Sequence, residues 1–167
     1  MRKIWDFHGG IHPPENKAQS TRKPIRRFPL VQTYVVPLNQ HLGSPAEPIV
    51  AAGQSVKAGE LIARPIGLVS AAVHAPTSGT VVAIEPRPSA HPSGLPVPSI
   101  VIQSDGQDDW VDLNPAGDFR ALSRQEIRER IRMAGIAGMG GAGFPTAVKL
   151  TPPKEDKVQA LIINAVE

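Results

Sequence analysis

The sequence predicts a mainly β front half, a small barrel or sandwich, giving way near residue 116 to the start of an α/β unit. Three observations lead there. Short apolar runs recur between turn signals across residues 34–102. The chain holds 18 prolines and 15 glycines in 167 residues, nearly twice the usual share, which suits tight turns better than long helices. A well-capped helical segment comes only after residue 122. Aromatic residues are 4% of the chain against 41% hydrophobic, so the expected core is aliphatic and the chain globular.

Residues 1–30 read as an extended segment punctuated by Gly9-Gly10, Pro13-Pro14, Pro24 and Pro29. It is basic: Arg2, Lys3, Lys17, Arg22, Lys23, Arg26 and Arg27 face only Asp6 and Glu15. That pattern suits a solvated tail, or contact with acidic lipid or an acidic partner. No aromatic platform accompanies the charge, which argues against nucleic acid. Residues 31–115 form the expected β domain. Its strands are expected at Tyr34–Val36, Ile49–Ala51, Leu61–Ala63, Thr80–Ile84 and Ile100–Ile102. Turns at Gly43-Ser44-Pro45, Lys57-Ala58-Gly59, Pro76-Thr77-Ser78-Gly79 and Ser104-Asp105-Gly106 separate them.

Residues 116–167 read as helix, glycine loop, helix and strand. Ser123 is the expected N-cap, with Glu126 completing a capping box and Leu122 and Ile127 placed for a hydrophobic staple. Gly135 is the expected stop, Pro145 suits the first turn of a second helix, and Ala160–Ile163 reads as a buried strand. A strand with nothing after it cannot bury both faces. The chain is therefore expected to be a piece of a longer protein, or a short form that needs a partner.

The loop between the helices carries the chemistry. Gly138, Gly140, Gly141 and Gly143 fall within six positions, followed by Pro145 and then Lys149. Glycines let backbone N–H groups approach a ligand closely. A helix start adds unsatisfied donors and partial positive charge, and the lysine adds a full one. This suits a phosphate-bearing cofactor. It is not the Rossmann fingerprint, which needs a strand before the glycines, nor a P-loop, which ends in Gly-Lys-Ser/Thr.

Other chemistries fare worse. The chain has no cysteine, which excludes disulfides, a catalytic thiol and thiolate-held iron–sulfur clusters within it. His8 and His12 flank Gly9-Gly10 rather than a helix, and His41, His74 and His91 sit in turn-like settings that suit side-chain-to-backbone hydrogen bonds. Asp105, Asp108 and Asp109 lack the spacing of a calcium loop. No nucleophile, base and orienting group assemble from the sequence, so no catalytic residue is expected and any reaction would belong to a cofactor. No apolar run suits a signal peptide or a membrane span, so a cytoplasmic location is expected.

Two resemblances sharpen this reading. Gly53–Ile62 followed by Val73–Val81 resembles the hammerhead of biotinyl and lipoyl carrier domains, a barrel-sandwich hybrid. The tip between those halves, Pro65–Ala72, has no lysine to carry a prosthetic group, so the fold is expected without the carrier function. Phe7–Pro14, Val36–Gly43, Val73–Val81, His91–Gly94 and Ala134–Leu150 together resemble the N-terminal part of the RnfC component of the Rnf (Rsx) electron-transport complexes. The glycine loop is also similar to Gly-Arg-Gly-Gly-Ala-Gly-Phe-Pro-Thr of the complex I flavoprotein, which cradles FMN with NADH stacked beside it.

The resemblance implies that Gly138, Gly140, Gly141, Ala142 and Gly143 line FMN with backbone. It places Lys149 on the flavin or its phosphate and Phe144 towards the nicotinamide nucleotide. Thr146 ends the shared pattern, Asn164 matches an asparagine that contacts flavin, and Glu167 matches an acidic residue of the following loop. Met139 stands where complex I has arginine, and Val166 where it has aspartate. The family implies NADH as substrate, two [4Fe–4S] clusters beyond this stretch, and the other members of the complex as partners at the inner membrane, with electron transfer coupled to ion movement. The alternative is a docking and assembly module without cofactor.

Overall fold

Small aliphatic side chains at alternate positions of short strands decide how this chain folds. The computed structural model describes residues 8–10, 13–140, 142–152, 160 and 162. Among the described residues seven strands form in chain order: β1 (Thr33–Pro37), β2 (Glu47–Pro48), β3 (Ser55–Val56), β4 (Leu61–Arg64), β5 (Val73–His74), β6 (Gly79–Pro88) and β7 (Pro96–Ser104). They build two antiparallel sheets, one ordered β1-β7-β6-β3 and the other β2-β4-β5. Val36, Val56, Ile62, Val73, Val81, Ile100 and Ile102 meet in one buried cluster fed by both sheets. No aromatic side chain is needed to fill it, and Tyr34 packs at its border.

The long β6–β7 hairpin organises the larger sheet. Val81 pairs with Ile102 and Ile84 with Ile100, with a register shift between Val81 and Ala83. Val82 is the extra residue of this bulge, and it lies exposed. The bulge lets residues three apart on β6 face two core isoleucines that are two apart on β7. Beyond the core the ribbon continues through Pro86 opposite Pro98 and Pro88 opposite Pro96. Prolines at every second position fit the pairs that exchange no ladder hydrogen bonds, so no inter-strand N–H is lost. The outward-facing carbonyl of Pro98 instead accepts from the Leu38 N–H at 2.9 Å.

Several expectations shift. The strand expected at Ile49–Ala51 lies earlier, at Glu47–Pro48, because the chain turns after Ile49 donates to the Ile62 carbonyl. β6 and β7 run longer than expected, since the prolines that locally signal a strand end are carried within the ribbon. The two-residue strands β3 and β5 carry too little pattern to be read as strands. The described residues of the N-terminal segment are irregular apart from one helical turn, α1 (Ala18–Thr21).

After the barrel, Ala58 bridges Trp110, whose ring lies over Gly59. A short 3-10 turn at Phe119–Ala121 leads to α2 (Arg124–Met133). Its capping box is as expected: Ser123 Oγ accepts from the Glu126 N–H, and the Glu126 carboxylate accepts from the Ser123 N–H. Gly135, at φ +70°, closes α2 in a Schellman turn, with its N–H on Arg132 and that of Ile136 on Ile131. Pro145 is the N-cap of α3 (Thr146–Lys149) rather than its first residue, and α3 is only four residues long. Of the strand expected over 160–163, Ala160 and Ile162 are described and both are exposed, so no described element buries them. Among the described residues no helix is long and apolar enough to cross a membrane.

Ile102 is fully buried where the two sheets meet. Ile102→Ala is expected to lower unfolding free energy by about 2–5 kcal/mol in urea titrations, the range for an unfilled core cavity. A loss under about 1 kcal/mol would mean that this position repacks and does not hold the sheets together.

Candidate functional site

The Schellman turn aims the chain out of α2 and into the glycine loop. Ala137 bridges the buried Pro145, and the Thr146 N–H donates to the Ile136 carbonyl at 3.0 Å, closing the neck. Inside it, Gly138 N–H donates to the Phe144 carbonyl at 2.8 Å and Gly143 N–H to the Gly140 carbonyl at 3.1 Å. Gly143 takes φ +54° and lies so close to Gln40 and His41 that a Cβ would stand 3.2 Å from the Gln40 carbonyl oxygen. Here glycine answers both a left-handed backbone and a close approach.

The barrel side of this contact is built around His41. In its buried ring, Nδ1 lies 3.1 Å from the Leu42 carbonyl oxygen and Nε2 lies 3.1 Å from the Ala71 backbone nitrogen. The tautomer protonated on Nδ1 satisfies both, donating to Leu42 and accepting from Ala71. The Leu42 N–H then donates to the Gly143 carbonyl at 3.1 Å. One turn of barrel backbone thus grips the loop. The lysine-free tip is gripped as well: Arg132 Nη2 donates to the Gly67 carbonyl at 2.7 Å, and the Ala72 N–H reaches the Arg132 carbonyl at 3.3 Å. A Cβ on Gly135 would strike the Ala72 carbonyl oxygen, so α2 seats flush against the tip.

The sequence-predicted residues fall into two groups. Gly138, Gly140, Ala142, Gly143, Phe144, Thr146 and Lys149 share this loop and its flank. Gly141, Asn164 and Glu167 lie outside the described residues. Lys149 Nζ sits 5.9 Å from the centre of the Phe144 ring, and a Cβ on Gly138 would lie 2.9 Å from it. The ammonium therefore hangs over the loop's neck. Of the donors at the second helix, the Thr146 N–H is used to close the neck and the Val148 N–H turns back to the Pro145 carbonyl. Further donors lie in the loop. Among the described residues, no hydrogen bond engages the N–H groups of Met139, Gly140 or Ala142. Gly140 faces open space, with nothing within 4 Å of a Cβ built on it. Neighbouring free amides, open space and a lysine fit an anionic phosphate-bearing group.

The sequence does not mark His41, His74 or Arg132 as site residues. The contacts of His41 and Arg132 join positions 30 and 65 residues apart, which no local spacing reveals. A cavity of about 280 Å³ lies between barrel and loop, lined by Gln40, His41, His74, Gly135, Gly138 and Met139 among others. Burial pushes the His74 imidazole below its ordinary value, favouring the neutral ring. His41 and His91 make the side-chain-to-backbone bonds expected of them, whereas His74 lies on β5 facing this cavity. Asp105 organises its own turn, accepting from the Gln107 N–H and from Ser78 Oγ, which hold its carboxyl below the usual range. Among the described residues no cluster of three or more candidate ligands could hold a metal ion.

Known proteins resemble both halves of the chain. Residues 5–107 match the family described as the RnfC barrel sandwich hybrid domain. Residues 131–167 match the Nuo51 FMN-binding domain. The chain is 54% identical, over all 167 residues, to component C of the ion-translocating oxidoreductase complex of Pseudomonas aeruginosa, and it spans 22% of that protein's length. The fold is accordingly a mainly β barrel-sandwich hybrid followed by the start of an FMN-binding domain.

His74 makes stability pH-dependent in a defined window. Its folded value lies below the unfolded 6.5, so between the two the unfolded chain holds a proton that the folded chain lacks. Acid therefore favours unfolding there, and the dependence vanishes above 6.5. Urea midpoints measured from pH 7.5 downward are expected to fall below about 6.5 in the parent chain and to fall less in His74→Gln. Identical slopes in the two would remove His74 as the cause.

Proposed function

The chain belongs to the RnfC family, and on that premise we propose that its glycine loop forms part of an FMN site in an ion-translocating electron-transport complex. One observation carries this reading. Three loop amides, at Met139, Gly140 and Ala142, engage no described acceptor, Gly140 faces open space, and the Lys149 ammonium hangs over the neck of the same loop.

In this reading Gly138, Gly140, Gly141, Ala142 and Gly143 present backbone to the flavin, and Lys149 neutralises the phosphate or a flavin oxygen. Phe144 and Thr146 shape the flank next to the nicotinamide nucleotide, and Asn164 and Glu167 extend the site. FMN, when bound, would supply the conversion between hydride transfer from NADH and one-electron transfer to iron–sulfur clusters of the complex. The residues of this chain do no covalent chemistry. They bind, orient and balance charge, which is why no nucleophile or general base is assigned. The remaining members of the complex are its partners, and they hold it at the cytoplasmic face of the cell membrane. The domain limits that accompany this reading are 31–115 for the barrel and 116–167 for the start of the flavin domain.

FMN fluorescence tests it. Titrating the chain is expected to give saturable quenching with a dissociation constant on the order of 0.1–1 mM. Lys149→Gln is expected to weaken binding about tenfold through a lost charge-assisted contact. Gly140→Trp fills the open space and is expected to abolish it. No quenching up to millimolar FMN, or quenching that both variants retain, assigns the stretch to docking and assembly instead.

A further inference from the structure

The N-terminal segment stands apart from the flavin reading. Every described residue from Pro13 to Thr33 is exposed. Hydrogen bonds of residues 13–30 to described groups stay within the segment, as in Asn16 to Pro14 and Thr21 to Lys17. Its charge is one-sided. No acidic residue occurs between Glu15 and Glu47, while Lys17, Arg22, Lys23, Arg26 and Arg27 all fall in that interval. Lys17 meets Glu15 at 3.4 Å. Arg22, Lys23, Arg26 and Arg27 face no described carboxylate at ion-pair distance.

Two large apolar side chains sit among these cations without cover. Ile25 is 104% exposed and Phe28 83%. Pro24 and Pro29 bracket them and keep the stretch out of helix. We propose that residues 17–28 form a strap that docks on an anionic lipid bilayer surface. Cations and exposed apolar residues in alternation match the two layers of such a surface. The guanidinium and ammonium groups meet lipid phosphates, and Ile25 and Phe28 enter the boundary with the acyl chains. An acidic protein surface would answer the charge alone, leaving Ile25 and Phe28 in water unless it also offered matching pockets. A bilayer offers both layers at every point, which suits a segment whose described hydrogen bonds stay within itself.

Flotation of the whole chain with lipid vesicles tests the strap. At about 0.1 M salt, vesicles with about 30% phosphatidylglycerol in phosphatidylcholine are expected to carry the chain, and pure phosphatidylcholine is not. Raising salt towards about 1 M is expected to release most of it. A variant with Arg22→Gln, Lys23→Gln, Arg26→Gln and Arg27→Gln is expected to partition about 100-fold less. Ile25→Ser with Phe28→Ser, all charges kept, is expected to lose about tenfold. All six side chains are exposed, so thermal midpoints should match the parent chain. No flotation with anionic vesicles overturns the proposal, as does flotation unchanged by either variant. Binding to soluble polyglutamate without binding to vesicles would assign the segment to an acidic protein instead.

Discussion

The backbone contact that sets the glycine loop on the barrel is the Leu42 N–H donating to the Gly143 carbonyl, with His41 wedged behind it. The buried imidazole ties Leu42 to Ala71 on the barrel tip, so loop, barrel turn and tip share one hydrogen-bonded knot. A buried ring with both nitrogens partnered is rigid because either bond, once broken, leaves an unsatisfied polar group in the interior. The glycine loop has little packing of its own. Its shape is set by its neck and by the barrel beneath it.

The same contacts explain what became of the carrier tip. In a swinging-arm domain the tip must be free to move. Here Gly67 is held by Arg132, Ala72 by the end of α2, and Gly135 leaves no space between helix and tip. The tip that lacks a lysine is the one held against the end of α2 and Gly135, so it serves as a bearing surface for them. The barrel's core of valine, isoleucine and alanine supplies the stiffness this needs.

Much of this was legible in local sequence. The Ser123–Glu126 capping box, the Gly135 stop and the glycine loop each rest on neighbouring residues with one strong conformational preference. The barrel resemblance held because Gly53, Gly59 and Gly79 mark turns that few other residues can make. Long-range facts were not legible. His41 meets Ala71 thirty residues away, and Arg132 meets Gly67 sixty-five away, through main-chain atoms that leave no trace in side-chain identity. The proline ribbon misled for a different reason. Residues such as Pro86, Pro88, Pro96 and Pro98 end most strands, but at period two they fall on pairs that need no N–H.

Amide hydrogen exchange at Leu42 probes the knot directly, compared between the parent chain and His41→Phe. With the loop gripped by the barrel, Leu42 should be protected in the parent chain and exchange more than about tenfold faster in the variant, while core amides such as Ile102 keep their protection. An unprotected Leu42 in the parent chain, or equal protection in both, would mean that the barrel does not hold the loop.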